Sequence, residues 1–88
     1  MKITTNQFSI LRTLWESRKW MTNREIVRET DLNITSLWQA TQSLTDLGLV
    51  IKMRLSLRGE PVRYKITREG RKVFRVLKEL NENVLQNR

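Results

Sequence analysis

The side chains of this sequence that are best suited to binding chemistry are its arginines and lysines, and they cluster in one part of the chain. Residues 52–78 contain ten basic and two acidic residues, so this segment alone carries a charge equal to the +8 of the whole chain. The ten are Lys52, Arg54, Arg58, Arg63, Lys65, Arg68, Arg71, Lys72, Arg75 and Lys78. A concentrated positive field attracts a polyanion, because each neutralised phosphate releases counterions. Nucleic acid is the expected partner; a solvated surface and an anionic membrane surface are the alternatives.

Other kinds of chemistry are excluded by what the sequence lacks. Among 88 residues there is no cysteine and no histidine, so disulfides, zinc fingers and imidazole catalysis are all excluded. The carboxylates are scattered and no glycine-rich phosphate loop occurs, so we expect no enzyme, no cofactor and no metal. No stretch approaches the roughly 20 apolar residues of a membrane span. The expected location is the cytoplasm, or the host cytoplasm for a viral protein.

Two helices are predicted in the first third of the chain. Apolar residues at helical spacing predict a helix over 5–17; they are Phe8, Leu11, Leu14 and Trp15. A short extended link at Trp20 and Met21 follows. Thr22 and Glu25 have the spacing of a capping box, which predicts a second helix over 23–30.

A third helix is predicted over 35–47, after a turn at 31–33. Ser36 and Gln39 repeat the capping-box spacing, with Thr35 as an alternative cap. Gly48 suits the left-handed residue that ends a helix.

Two alternating segments then predict a hairpin over 50–67, with a loop around Gly59. The first segment has one apolar face (Ile51, Met53, Leu55) and one polar face (Lys52, Arg54, Ser56). In the second, Val62, Tyr64 and Ile66 alternate with Arg63, Lys65 and Thr67.

A last helix over 68–86 carries a heptad-like apolar spacing. Its seam consists of Val73, Leu77, Leu80 and Val84. Residues near its start, such as Val73 and Phe74, are expected to pack on the domain itself. The remainder predicts a dimer interface of Leu77, Leu80, Val84 and Leu85; a helix folded back on the first helix, giving a monomer, is the alternative.

This order of elements predicts a mainly α (α+β) fold in one domain over 1–88. It is a winged helix-turn-helix, with a three-helix core, a two-stranded β-wing and a C-terminal helix. The third helix is then the recognition helix.

Three segments resemble MarR-type winged-helix regulators. Residues 44–50 (LTDLGLV) are similar to the end of that family's recognition helix, and residues 22–26 (TNREI) to the opening of its second helix. Residues 64–70 (YKITREG) resemble the end of its wing. The resemblance implies a bacterial, archaeal or viral transcription regulator, a homodimer on a pseudo-palindromic operator. Full-length members carry additional dimerisation helices, and effector pockets form beside them. We therefore expect no small-molecule effector here.

The recognition helix can be divided into two faces by its angular spacing. Leu37, Ala40, Thr41, Leu44, Leu47 and Gly48 are expected to be buried. The expected DNA contacts are Thr35, Ser36, Trp38, Gln39, Gln42 and Ser43. Gln39 could instead complete the capping box, and Trp38 could pack internally. This helix has no Arg or Lys, so the common pairing with guanine is not open to it.

The wing is expected to supply the attraction that the helix lacks. Its candidate contacts are Arg54, Arg58, Gly59, Arg63 and Lys65, with Arg58 entering a minor groove. On the second helix, Arg24 and Arg28 are candidates for backbone phosphates.

The sequence therefore predicts a regulator that binds double-stranded DNA and acts as a repressor. A winged-helix adaptor that binds proteins, or a replication or RNA-binding module, is the alternative. The deep, narrow major groove of RNA argues against the last.

Overall fold

Four helices and a three-stranded antiparallel sheet are present in the computed structural model, which describes residues 2–54, 59 and 61–86. The helices are α1 (Thr5–Ser17), α2 (Asn23–Thr30), α3 (Ile34–Asp46) and α4 (Arg68–Gln86). The strands are β1 (Met21–Thr22), β2 (Val50–Met53) and β3 (Arg63–Ile66).

Capping boxes open the first two helices. The Thr22 hydroxyl accepts from the Glu25 N–H at 3.2 Å, and the Glu25 carboxylate accepts from the Thr22 N–H at 2.9 Å, as predicted. Thr4 and Gln7 form the same reciprocal pair at the start of α1. These exchanges satisfy N–H groups that the first turn of a helix leaves without backbone partners.

The start of α3 differs from the prediction. Asn33 is the N-cap, and its side-chain oxygen accepts from the Ser36 N–H at 2.8 Å. The helix therefore begins at Ile34, and the capping roles predicted for Ser36, Thr35 and Gln39 are wrong. The reason is that Asn33 is extended (φ −74°, ψ 162°), and its short side chain reaches the third residue onward.

The end of α3 is a left-handed turn at Gly48, as predicted. Gly48 has φ +76°, its N–H donates to the Thr45 carbonyl, and the Leu49 N–H donates to the Leu44 carbonyl. This is the Schellman arrangement. Because the chain turns away here, Leu47 is 44% exposed and Gly48 is exposed, so their predicted burial is wrong.

The sheet contains one strand that the sequence did not reveal. β1 pairs with β3, which lies between β1 and β2, and Met21 lies opposite Tyr64. A two-residue strand shows no alternation, so only an extended link was predicted there.

The predicted faces of β2 are also wrong. Val50 lies opposite Ile66, and Lys52 lies opposite Tyr64, so these four side chains share one face of the sheet. Ile51 is 51% exposed on the other face. The cause is the apolar run from Leu49 to Ile51, in which the two earlier residues, both 2% exposed, enter the core.

The core lies between α1, α2, α3, the sheet and the start of α4. Ile10, Leu11, Leu14, Ile26, Leu37, Leu44 and Phe74 are among its most buried residues. The ring of Phe74 lies 5.3 Å from the ring of Phe8 and 5.2 Å from that of Trp15, centroid to centroid. These contacts fasten α4 to α1, and they confirm that Phe74 packs on the domain itself.

Gly70 allows the first turn of α4 to lie against the chain that joins α3 to β2. A Cβ at this position would collide with the carbonyl oxygen of Leu49 and lie 2.8 Å from Cγ1 of Ile66. Only glycine fits here without a shift of the backbone.

Candidate nucleic-acid interface

One face of α3 is polar, uncharged over most of its length and open to solvent. Thr35, Gln39 and Gln42 are exposed, and Ser36 and Ser43 are half-buried. The opposite face is buried and consists of Leu37, Ala40, Thr41 and Leu44. The helix thus presents hydrogen-bonding groups outward while its apolar face is held by the core, which is the arrangement that a recognition helix needs.

Trp38 belongs to the exposed face. It is 57% exposed, so the alternative in which it packs internally is wrong. Its neighbours Thr41 and Leu37 take the buried positions instead. An exposed indole offers a flat apolar surface and one N–H donor to whatever lies against the helix.

Gln42 has a partner that sequence reasoning did not identify. Its amide nitrogen donates to the carboxylate of Asp46, one turn later, at 2.9 Å. A carboxamide nitrogen carries two hydrogens, so this contact uses one and leaves the other, with the amide oxygen, for a second partner. Asp46 had been predicted to be a solvated end residue; it is exposed, but it also holds Gln42.

The predicted wing cations are not in equivalent positions. Arg54 is exposed just beyond the end of β2, and Gly59 is exposed with φ +86°. Arg63 and Lys65 are half-buried on β3, on the face that also carries Ile51. The Lys65 ammonium lies 5.8 Å from the ring centroid of Trp20. Arg58, at the predicted tip, lies outside the described residues.

Arg63 is close enough to α2 to influence Glu25. The pKa of Glu25 is lowered, chiefly by the hydrogen bond from the Thr22 backbone and then by the Thr22 hydroxyl. The positive charges of Lys19 and Arg63 lower it further. Arg63 is therefore near the body of the domain and not at the far end of the wing.

The two predicted cations of α2 are both exposed. Arg24 lies in the first turn, and Arg28 lines a groove of about 570 Å³ between α1 and α2. The groove is also lined by Arg12, Lys19, Glu16 and Glu29, so its charges are mixed.

Lys52 is a cation at the interface that the sequence analysis did not include among the contacts. It lines a small pocket of about 110 Å³ between α3 and the sheet, with Trp38, Gln42, Thr45 and Tyr64. Its position follows from the strand register, which puts it on the α3 side of β2. The wrong assignment of the faces of β2 is why it was missed.

Two further searches cover the part of the chain that the structure describes. Within it, no group of three or more acidic, histidine or cysteine side chains is arranged to hold a metal ion. None of the helices described there is long and apolar enough to cross a membrane.

Comparison with solved structures shows the fold. The transcriptional regulator BldR from Sulfolobus solfataricus superposes with a TM-score of 0.85 at 24% identity, over 99% of this chain and 61% of its own. BpsR of Bordetella bronchiseptica gives 0.83 at 19% identity, over 98% and 60%. ZitR of Lactococcus lactis, a zinc-responsive MarR family member, gives 0.77 at 21% identity, over 99% and 59%. Neither a protein-family model nor a curated protein sequence matches the chain.

The chain therefore has the winged helix-turn-helix fold of MarR-type regulators, as its sequence predicted. It spans about three fifths of the length of these structures. The DNA binding of BpsR is regulated by 6-hydroxynicotinic acid, which counts against the expectation that no small-molecule effector is involved.

Proposed function

We propose that this protein binds double-stranded DNA and regulates transcription, with α3 in the major groove and the wing on the backbone or in the adjacent minor groove. The observation that carries the proposal is the exposed polar face of α3 beside a strongly basic hairpin. A helix of this size fits the major groove of B-DNA, and amide and hydroxyl groups can hydrogen-bond to base edges.

The two parts of the interface divide the work. Since α3 contains no Arg or Lys, it can discriminate between bases but contributes little long-range attraction. The charge is instead in residues 52–78, which begin in β2 and continue through the wing into α4. Affinity should therefore depend on salt through the wing, and base preference should depend on α3.

A homodimer that acts as a repressor completes the proposal. On α4, Val76 and Leu80 are 56% and 55% exposed, while Leu77 is half-buried. These side chains form an apolar stripe that α1 does not cover, and a second copy of α4 would bury it. The predicted partners Val84 and Leu85 lie where side chains are outside the described residues. A two-fold dimer would read two half-sites about one helical turn apart.

Selection from a random duplex library tests the proposal. The protein should enrich a sequence pattern, and repeated half-sites would support the dimer. Gln42→Ala should lose more affinity for the selected sequence than for unselected duplex. Arg58→Ala combined with Arg63→Ala should weaken both and flatten the salt dependence.

Thr13→Val provides the control, since its hydroxyl donates only to the Ser9 carbonyl within α1. Failure to enrich any sequence, together with binding that does not depend on salt, would contradict the proposal. Equal binding to duplex RNA would favour the RNA-binding alternative.

A further inference from the structure

The inference concerns the pocket between α3 and the wing, and it begins with the register of the sheet. Val50 and Ile66 are opposite each other and buried, and Lys52 and Tyr64 form the next pair on the same face. Lys52 is exposed, whereas Tyr64 is 8% exposed. The aliphatic stem of Lys52 can therefore lie along the sheet while its ammonium reaches the pocket mouth.

The pocket has walls of two kinds. On one side are the exposed indole of Trp38 and the amide of Gln42, both from α3. On the other side are Lys52 and Tyr64, from the two long strands of the sheet. Its volume of about 110 Å³ suits a single small group and not a large ligand.

The charge in this pocket favours an anion. Within the described residues, no carboxylate forms an ion pair with Lys52; the ion pairs found there join Arg12 to Glu16 and Lys72 to Glu69. The one acidic residue of α3, Asp46, accepts a hydrogen bond from Gln42. An ammonium without a protein partner, next to hydrogen-bonding groups, is suited to a phosphate oxygen.

We propose that Lys52 binds a backbone phosphate of the DNA strand that passes between α3 and the wing, with Trp38 packed against the adjoining sugar. This inference rests on the proposed function and adds a contact to it. Lysine acts as a mobile point charge, so the contact fixes the position of the protein on the duplex and carries no base preference.

Salt dependence tests the contact with a charge-matched set of variants. Lys52→Met keeps most of the aliphatic stem and removes the charge, whereas Lys52→Arg keeps the charge. Lys78→Gln removes an exposed charge ten residues into α4 and is the control. Dissociation constants for a random-sequence duplex are measured from low to high KCl.

Lys52→Met should reduce the slope of log affinity against log salt by about 0.9, the value for one lost phosphate contact. Lys52→Arg and Lys78→Gln should keep the slope of the unaltered protein. Trp38→Ala should weaken binding without changing the slope, because an indole carries no charge. Thermal unfolding checks that each variant is folded.

A methylphosphonate scan of a selected duplex locates the contact. One neutralised phosphate should weaken binding by the unaltered protein but have no further effect on Lys52→Met. If the unaltered protein binds duplex DNA but Lys52→Met keeps its slope, the Lys52 contact is overturned and the proposed function stands. If the unaltered protein does not bind duplex DNA, both are overturned.

Discussion

The hydroxyl of Thr67 donates to the carbonyl oxygen of Gly48 at 2.7 Å, across nineteen residues of chain. The same hydroxyl accepts from the N–H of Gly70 at 3.0 Å, and the Thr67 N–H donates to the Leu49 carbonyl. Thr67 therefore caps α4 and at the same time joins the end of α3 to the end of β3. Because α3 and the wing must contact DNA together, this connection fixes their relative position.

Thr67→Val should reveal the strength of that connection. It removes the cap of α4 and the bond to Gly48, so the free energy of unfolding should fall by about 2 kcal/mol, roughly 1 for each interaction. Urea denaturation measures the change. Thr67→Ser keeps the hydroxyl and should retain most of the stability. Equal losses in both variants would show that the hydroxyl contributes little.

Local patterns predicted the elements better than they predicted their faces. The capping box at Thr22 and Glu25 and the left-handed Gly48 depend on residues close in sequence, and both are present as expected. The cap of α3 was misassigned because Asn33, Thr35 and Ser36 all suit an N-cap. Sequence spacing alone does not choose between them.

The errors in the sheet have a different cause. A run of three apolar residues from Leu49 gives no phase to the alternation, so pairing with β3 decides which side chains turn inward. That pairing moved Lys52 to the α3 side and Ile51 to solvent. Exposure of Trp38 likewise depends on tertiary packing, since an aromatic residue on a helix suits a core and a binding surface equally well.

The bond between Gln42 and Asp46 should affect base preference. Asp46 holds one amide hydrogen at 2.9 Å, which leaves the amide oxygen and the other hydrogen as an edge that fits adenine. Asp46→Ala should reduce the preference for adenine at the position that Gln42 reads by about twofold, as expected for a helical pair of this spacing. Competition between selected and altered duplexes measures it.

Charge has to be separated from orientation in that experiment. Asp46→Ala and Asp46→Asn both remove a negative charge that repels phosphates, so both should bind random duplex more tightly. Asparagine retains an acceptor for Gln42, so the preference should survive in Asp46→Asn. An unchanged preference in Asp46→Ala would show that Gln42 is oriented without Asp46.

Glu25 should make stability depend on pH. Folding lowers its pKa from the ordinary 4.5, mainly through the hydrogen bond from the Thr22 backbone. A carboxylate with a lowered pKa stabilises the folded state above its ordinary value, and this stabilisation is lost as the pH falls through the folded pKa. Glu25→Gln should therefore be less stable than the unaltered protein at pH 7, and the difference should shrink below pH 4.5.

Urea denaturation over a pH series measures that difference. Glu29→Gln, an exposed residue of the same helix, is the control for the loss of one negative charge. A difference between Glu25→Gln and the unaltered protein that stays constant with pH would contradict the role of the Glu25 charge in capping α2.

The proposed dimer depends on an apolar stripe that the single chain leaves exposed on α4. Val76 and Leu80 are four residues apart, so they lie on one side of the helix, and each is more than half exposed. Burying two such side chains from each copy removes apolar surface from water, which favours association. Replacing both with Glu would put like charges opposite each other in the dimer.

The double variant Val76→Glu and Leu80→Glu should be monomeric by light scattering under conditions in which the unaltered protein is dimeric. Arg75→Glu changes the net charge by the same amount on the opposite side of α4, so it should remain dimeric. The monomer should keep its fold, because both substituted side chains are exposed, and it should bind a single half-site with the same salt dependence per site. An unaltered protein that is already monomeric, or a double variant that is still dimeric, would show that α4 is not the dimer contact.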